Sequence, residues 1–184
     1  NPDIIYVGTG SDGIRSNVIV GKGVYKSLDA GKSWVFMGLK SAGQIGAVKV
    51  HPKNPDIVYA AAIGQPFKQN TERGLFKSID GGKNWKKILY ISDKIGIVDM
   101  EFSPDDPNTI YAASWEVNRK PWTIMSGSKD GGIYKSVDGG QSWTKLFKGL
   151  PKGNIGKIDL ATSPADTNRL YALIEAGEGQ GGVY

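Results

Sequence analysis

One eight-residue phrase occurs three times in this chain and constrains its fold more than any other feature. The copies are Ser27-Leu-Asp29-Ala-Gly31-Lys-Ser-Trp34, Ser78-Ile-Asp80-Gly-Gly82-Lys-Asn-Trp85 and Ser136-Val-Asp138-Gly-Gly140-Gln-Ser-Trp143. Each reads S-x-D-x-G-x-x-W, and each follows a strand-like Gly-φ-Tyr/Phe-Lys element. Repetition of this kind sets architecture, because a repeated unit covers its apolar face only against its neighbours.

The residues flanking each phrase run apolar and are rich in β-branched and aromatic types, so they read as strands. Between them, Asp-x-Gly is turn chemistry. A short carboxylate accepts hydrogen bonds from the N–H groups just ahead of it, and glycine takes a positive φ without strain. Each phrase therefore predicts a β-hairpin whose loop is tied to its own aspartate. The tryptophan reads as a large apolar group packed between neighbouring units with its N–H bonded. Asp29, Asp80 and Asp138 are thus assigned to holding turns rather than to catalysis.

These residues resemble the Asp-box, or bacterial neuraminidase repeat, of sialidases, xyloglucanase-type glycoside hydrolases and the sortilin (VPS10) ectodomain. The resemblance extends over essentially the whole chain and implies a β-propeller. It leaves function open, because that scaffold is shared by enzymes and binders.

A second signature sets the blade length. Asn1-Pro-Asp-Ile-Ile-Tyr6, Asn54-Pro-Asp-Ile-Val-Tyr59, Asp106-Pro-Asn-Thr-Ile-Tyr111 and Asp166-Thr-Asn-Arg-Leu-Tyr171 place their tyrosines 53, 52 and 60 residues apart. Ahead of three of them lies a strand beginning Ile-Gly, at Ile45, Ile95 and Ile155. Four strands in about 50 residues is a propeller blade. The expectation is an all-β fold: a β-propeller fragment of about three and a half four-stranded blades. The blade pieces are 1–44, 45–94, 95–154 and 155–184 of one domain. An open propeller leaves sheet edges bare, so the remaining blades are expected from the same or another chain, and this segment from a longer protein.

Composition narrows the function classes. Glycine supplies 26 of 184 residues, which suits a turn-rich β chain. The formal charge is +5, but the nineteen lysines are scattered and only Arg15, Arg73, Arg119 and Arg169 are arginine. Without a basic stripe, nucleic acid is not an expected partner. There is no cysteine, hence no disulfide or thiolate metal site. No apolar run is long enough to span a membrane. The resemblance implies a secreted, periplasmic or cell-surface setting.

Loop lengths indicate where function sits. The turns that include the repeated phrases share one face and are short and alike. On the other face the connections Gly10 to Lys22, Gly64 to Arg73 and Trp115 to Asp130 are longer and differ from blade to blade. Variable loops on a rigid scaffold carry binding residues. In the longest, Trp115 and Trp122 offer stacking faces and Arg119 a forked donor, suited to a glycan, a peptide or a protein partner. Phe67 on the neighbouring connection is placed on the same rim.

Asp99 and Asp159 occupy matching positions on inner strands, with Glu101 nearby. Carboxylates converging there could form the acid/base pair of a glycoside hydrolase. Lys49 holds the corresponding position in another blade, however, which fits a paired or solvated channel site. No cofactor and no metal are expected, since no stretch has closely spaced oxygen ligands. Gly8-Thr-Gly10-Ser-Asp-Gly13 spells a dinucleotide fingerprint, but the run from Ile14 to Val20 is a poor helix start. With His51 the sole histidine, a multi-histidine metal site is excluded. Three readings stand: an extracellular binding module, a glycoside hydrolase of xyloglucanase or sialidase type, and an assembly subunit.

Overall fold

The computed structural model describes residues 1–184 as four antiparallel sheets in succession. The first contains β1 (Ile5–Gly8), β2 (Val24–Ser27) and β3 (Val35–Phe36). The second is β4 (Gln44–Val50), β5 (Val58–Gly64), β6 (Gly74–Ser78) and β7 (Lys86–Leu89). The third joins β8 (Ile95–Phe102), β9 (Ile110–Lys120), β11 (Gly132–Ser136) and β12 (Thr144–Leu146), with β10 (Thr123–Ser126) extending β9. The fourth is β13 (Ile155–Ser163), β14 (Asp166–Ala176) and β15 (Gly182–Val183). The chain is all-β and forms about three and a half blades of a propeller.

The core lies between blades. Val24 of the first sheet shares a cluster with Ile45, Ala60 and Phe76 of the second. Tyr59 and Leu75 of the second do the same with Ile97 and Met100 of the third. Strands covered on both faces need small side chains, hence the fully buried run Ala60, Ala61 and Ala62. The Ile-Gly of the second and third blades, at Gly46 and Gly96, has the same cause. A Cβ on Gly46 would lie 2.1 Å from the Val98 carbonyl oxygen, so neighbouring inner strands approach too closely for any side chain there.

The repeated phrases form the predicted hairpin turns, joining β2 to β3, β6 to β7 and β11 to β12. Asp80 Oδ1 accepts from the Asn84 N–H at 2.9 Å, and its Oδ2 from Asn84 Nδ2 at 2.7 Å. Asp29 holds Ser33, and Asp138 holds Ser142, in the same way. These bonds to the ionised form hold the Asp29 and Asp80 carboxyls down at about 2 and lower that of Asp138 as well. The serine is the deeper anchor. Ser78 is buried, donates to Asp80 at 2.7 Å and accepts the Gly82 N–H at 2.8 Å.

Each blade also grips the next. Tyr6 pairs with Lys26 across strands, and Tyr59 pairs with Lys77. The ammonium lies over the ring at 4.9 and 5.3 Å, respectively. Tyr6 and Lys26 both donate to the Gly81 carbonyl in the next blade's turn, at 2.9 and 3.2 Å. Tyr59 and Lys77 do the same to Gly139, at 3.4 and 2.9 Å. In return, the Trp85 indole N–H donates to the Met37 carbonyl at 2.6 Å, and that of Trp143 to Ile88 at 3.0 Å. Trp34, on the first sheet, is 42% exposed.

Candidate functional site

The face opposite these turns is built from unlike parts. The connection after β5 is tightened by Arg73, which is 1% exposed. Its guanidinium donates to the carbonyls of Ile63, Gln65, Lys68 and Lys94. Burial works against its charge, and Asp93 and Glu116 act the other way. Gly64 is required beneath it: at φ +100 it has no Cβ, and one added there would sit 2.5 Å from Arg73 Nε. Asn70 closes the same loop by accepting the Gln65 N–H at 2.8 Å. Phe67 is left 51% exposed on a connection that is held firmly.

The long connection of the third blade is not a loop, as its sequence suggested, but a hairpin. β9 continues past the sheet to Lys120, turns at Pro121 and Trp122, and returns as β10 in register Lys120↔Thr123. The hairpin is tied on both flanks. The Arg119 N–H donates to the Pro66 carbonyl of the second blade at 2.7 Å. Ser126 Oγ donates to Glu175 of the fourth blade at 2.7 Å, and the Lys157 N–H donates to the same carboxylate at 2.9 Å.

Trp115 and Trp122, paired as stacking candidates by their sequence, have opposite fates. Trp115 is 3% exposed within an apolar cluster, its N–H donating to Ser126 Oγ at 3.0 Å. That corrects the expectation of a stacking face: alternation along β9 turns this side chain into the core. Trp122, at the hairpin tip, is 81% exposed, with Met125 60% and Ile124 42% exposed beside it on β10. Neither Arg119 nor Lys120 is ion-paired. Below the tip lies a cleft of about 220 Å³ lined by Gln69, Arg73, Lys94, Glu116, Asn118 and Lys120, among others. Phe67, Arg119 and Trp122 belong to adjoining elements, joined by the Arg119–Pro66 hydrogen bond; none of the three lines the cleft, which is richer in cations than in anions.

The inner-strand carboxylates do not form a free acid/base pair. Asp99 accepts the Leu160 N–H of the next blade at 2.7 Å and the Met100 N–H at 2.8 Å. Glu101 is ion-paired with Lys49 at 2.7 Å, so at this position the channel site is paired. Asp159 is exposed and faces Lys157 at 3.4 Å. The stacking of inner strands sets Asp99 and Glu101 opposite donors on a neighbouring blade, whereas Asp159 meets a cation two residues away on its own strand.

Arg73, Asn70, Ser126 and Glu175 were not singled out from sequence. They recur in no other blade, so the repeat could not reveal them. Tyr6, Tyr59, Lys26 and Lys77 did recur, and that recurrence was the available signal for the inter-blade grip.

A family model described as Sortilin-Vps10, "Sortilin, neurotensin receptor 3", matches residues 22–178. The chain belongs to the Sortilin-Vps10 family. A relative of this sortilin-family chain, the vacuolar protein sorting/targeting protein 10 of Lodderomyces elongisporus, is 30% identical over 112 residues. That match covers 60% of this chain and 6% of the relative. Among solved structures, the GH74 enzyme of Niastella koreensis is similar, with a TM-score of 0.64 at 21% identity. So is the GH74 xyloglucanase of Xanthomonas campestris, with a TM-score of 0.64 at 16% identity. Each covers 94% of this chain, which spans 23% and 25% of those enzymes. At such identities the likeness is one of fold, the β-propeller. No helix of the sortilin-family chain is long and apolar enough to cross a membrane.

Proposed function

We infer that residues 1–184 form part of one propeller domain that binds a protein or peptide ligand through its variable-loop face, in a luminal or extracellular setting. One observation carries this reading. An almost fully exposed tryptophan, Trp122, is presented on a hairpin anchored to both neighbouring blades. A ring already exposed to water on an anchored hairpin, beside unpaired Arg119 and Lys120, offers a partner a large contact surface on a backbone that is already ordered. The cationic rim suits a segment with acidic residues. Membership of a family described as sortilin and a receptor supports a ligand of the protein or peptide class. The engaged state of Asp99 and Glu101 favours recognition over glycoside hydrolysis in these blades.

The test is selection of a displayed peptide library on the intact protein and on variants Trp122→Ala and Arg119→Ala with Phe67→Ala. The expected result is enrichment of aromatic-acidic sequences that falls at least about tenfold in each variant. Enrichment unchanged by all three substitutions overturns the reading. Trp122-dependent binding to a glycan array with none to peptides replaces the ligand class.

A further inference from the structure

The connection between β1 and β2 behaves unlike the others. Its neck is fixed: the Ser11 N–H donates to the Ile19 carbonyl at 3.0 Å. Buried Gln44 donates to the carbonyls of Ser11 and Ile19, at 3.1 and 2.8 Å. Its tip leaves the first blade and reaches the fourth, where Asp12 approaches Lys157 of β13 at 3.6 Å. Ile14 is 5% exposed and joins the same apolar cluster as Ile63, Val98 and Ile158. Yet from Asp12 to Val18 no backbone N–H or carbonyl bonds to the rest of the protein; Gly13 and Arg15 bond only within the tip. Around Ile14, the residues Asp12, Gly13, Arg15, Ser16 and Asn17 are all exposed.

A segment pinned at its neck but seated at its tip by two aliphatic side chains, buried Ile14 and half-buried Val18, and by one loose ion pair, with no backbone bond to its seat, opens locally at small cost. The connection after β5, by contrast, is locked by the four carbonyls around Arg73. We propose that the Ser11–Val20 segment is a built-in, displaceable occupant of a peptide seat on the inner strands. The seat takes an aliphatic side chain in the apolar cluster and, two residues earlier, a carboxylate facing Lys157. A partner segment of that chemistry competes with the strap for it. This rests on the reading of these blades as a peptide-binding module and adds a regulated subsite distinct from the Trp122 rim.

The test uses a fluorescent peptide with the sequence of Ser11 to Val20, added to the intact protein and to an Ile14→Ser, Asp12→Asn variant. The expected outcome is binding to the variant at least about tenfold tighter than to the intact protein. Binding to the variant should also be lost when the peptide carries serine in place of its isoleucine. A second variant, with residues 13–17 replaced by two glycines and the Gln44 neck kept, carries the same test if the first does not fold. Equal binding to intact and altered proteins, or binding to none, overturns the proposal. Its failure is separable from that of the function, because this readout needs neither Trp122 nor a natural ligand.

Discussion

The two faces of these blades solve the same problem, ending strands in water, by opposite means. On the turn face one solution is used three times. Ser27, Ser78 and Ser136 each accept a glycine N–H, and each donates to the aspartate two residues on. On the loop face a necked strap, an arginine-braced loop and a twice-tethered hairpin each occur once. Repetition thus marks parts that hold the blades together. The unrepeated parts brace single connections and, at Phe67 and Trp122, hold side chains out. Trp85 and Trp122 condense the contrast: one donates across a blade boundary, and the other is 81% exposed.

Substitutions on the two faces with like effects on stability and binding would break this contrast. The largest expected loss lies under the loop face, where Trp115→Ala removes a buried ring and should cost about 3–5 kcal/mol in denaturant unfolding. A near-neutral result would mean that the hairpin is anchored by its tethers rather than by its core residue. Gly46→Ala forces a Cβ against the Val98 carbonyl and should cost about 3 kcal/mol, at the upper end of overpacking. If it is tolerated, the inner strands have room to part.

Ser78→Ala strands the Gly82 N–H in the turn and should cost about 1–3 kcal/mol. Asp80→Asn should cost less, because its partner Asn84 is exposed. The reverse order would make the carboxylate the anchor. Acid titration sharpens this point. The Asp29 and Asp80 carboxyls lie below their ordinary 3.8, at about 2, so the native state binds fewer protons than the unfolded chain in that window. Their contribution is whole above pH 3.8 and lost as pH falls through about 2. Solvent screening keeps it modest. A melting temperature that is flat across this window contradicts the hydrogen-bonded turns.

Trp122→Ala should change stability by no more than about 0.5 kcal/mol, as for other exposed positions, while reducing ligand binding. A large loss of stability would move Trp122 into the scaffold.

What the chain's order of residues determined by itself was everything local and repeated. The spacing of Ser, Asp, Gly and Trp encodes a turn closed within eight residues, and the recurrence of Tyr and of Ile-Gly encodes the blade length. Such features are legible because their hydrogen bonds join near neighbours or recur identically. Tertiary structure decided the rest. Whether Trp115 faces core or water depended on β9 continuing to Lys120 as strand rather than loop. Whether Asp99 was free depended on the Leu160 N–H, 61 residues away. The strap's seat draws on three other blades at once. These are contacts between distant, unrepeated residues, and only the stacking of one blade on the next brings them together.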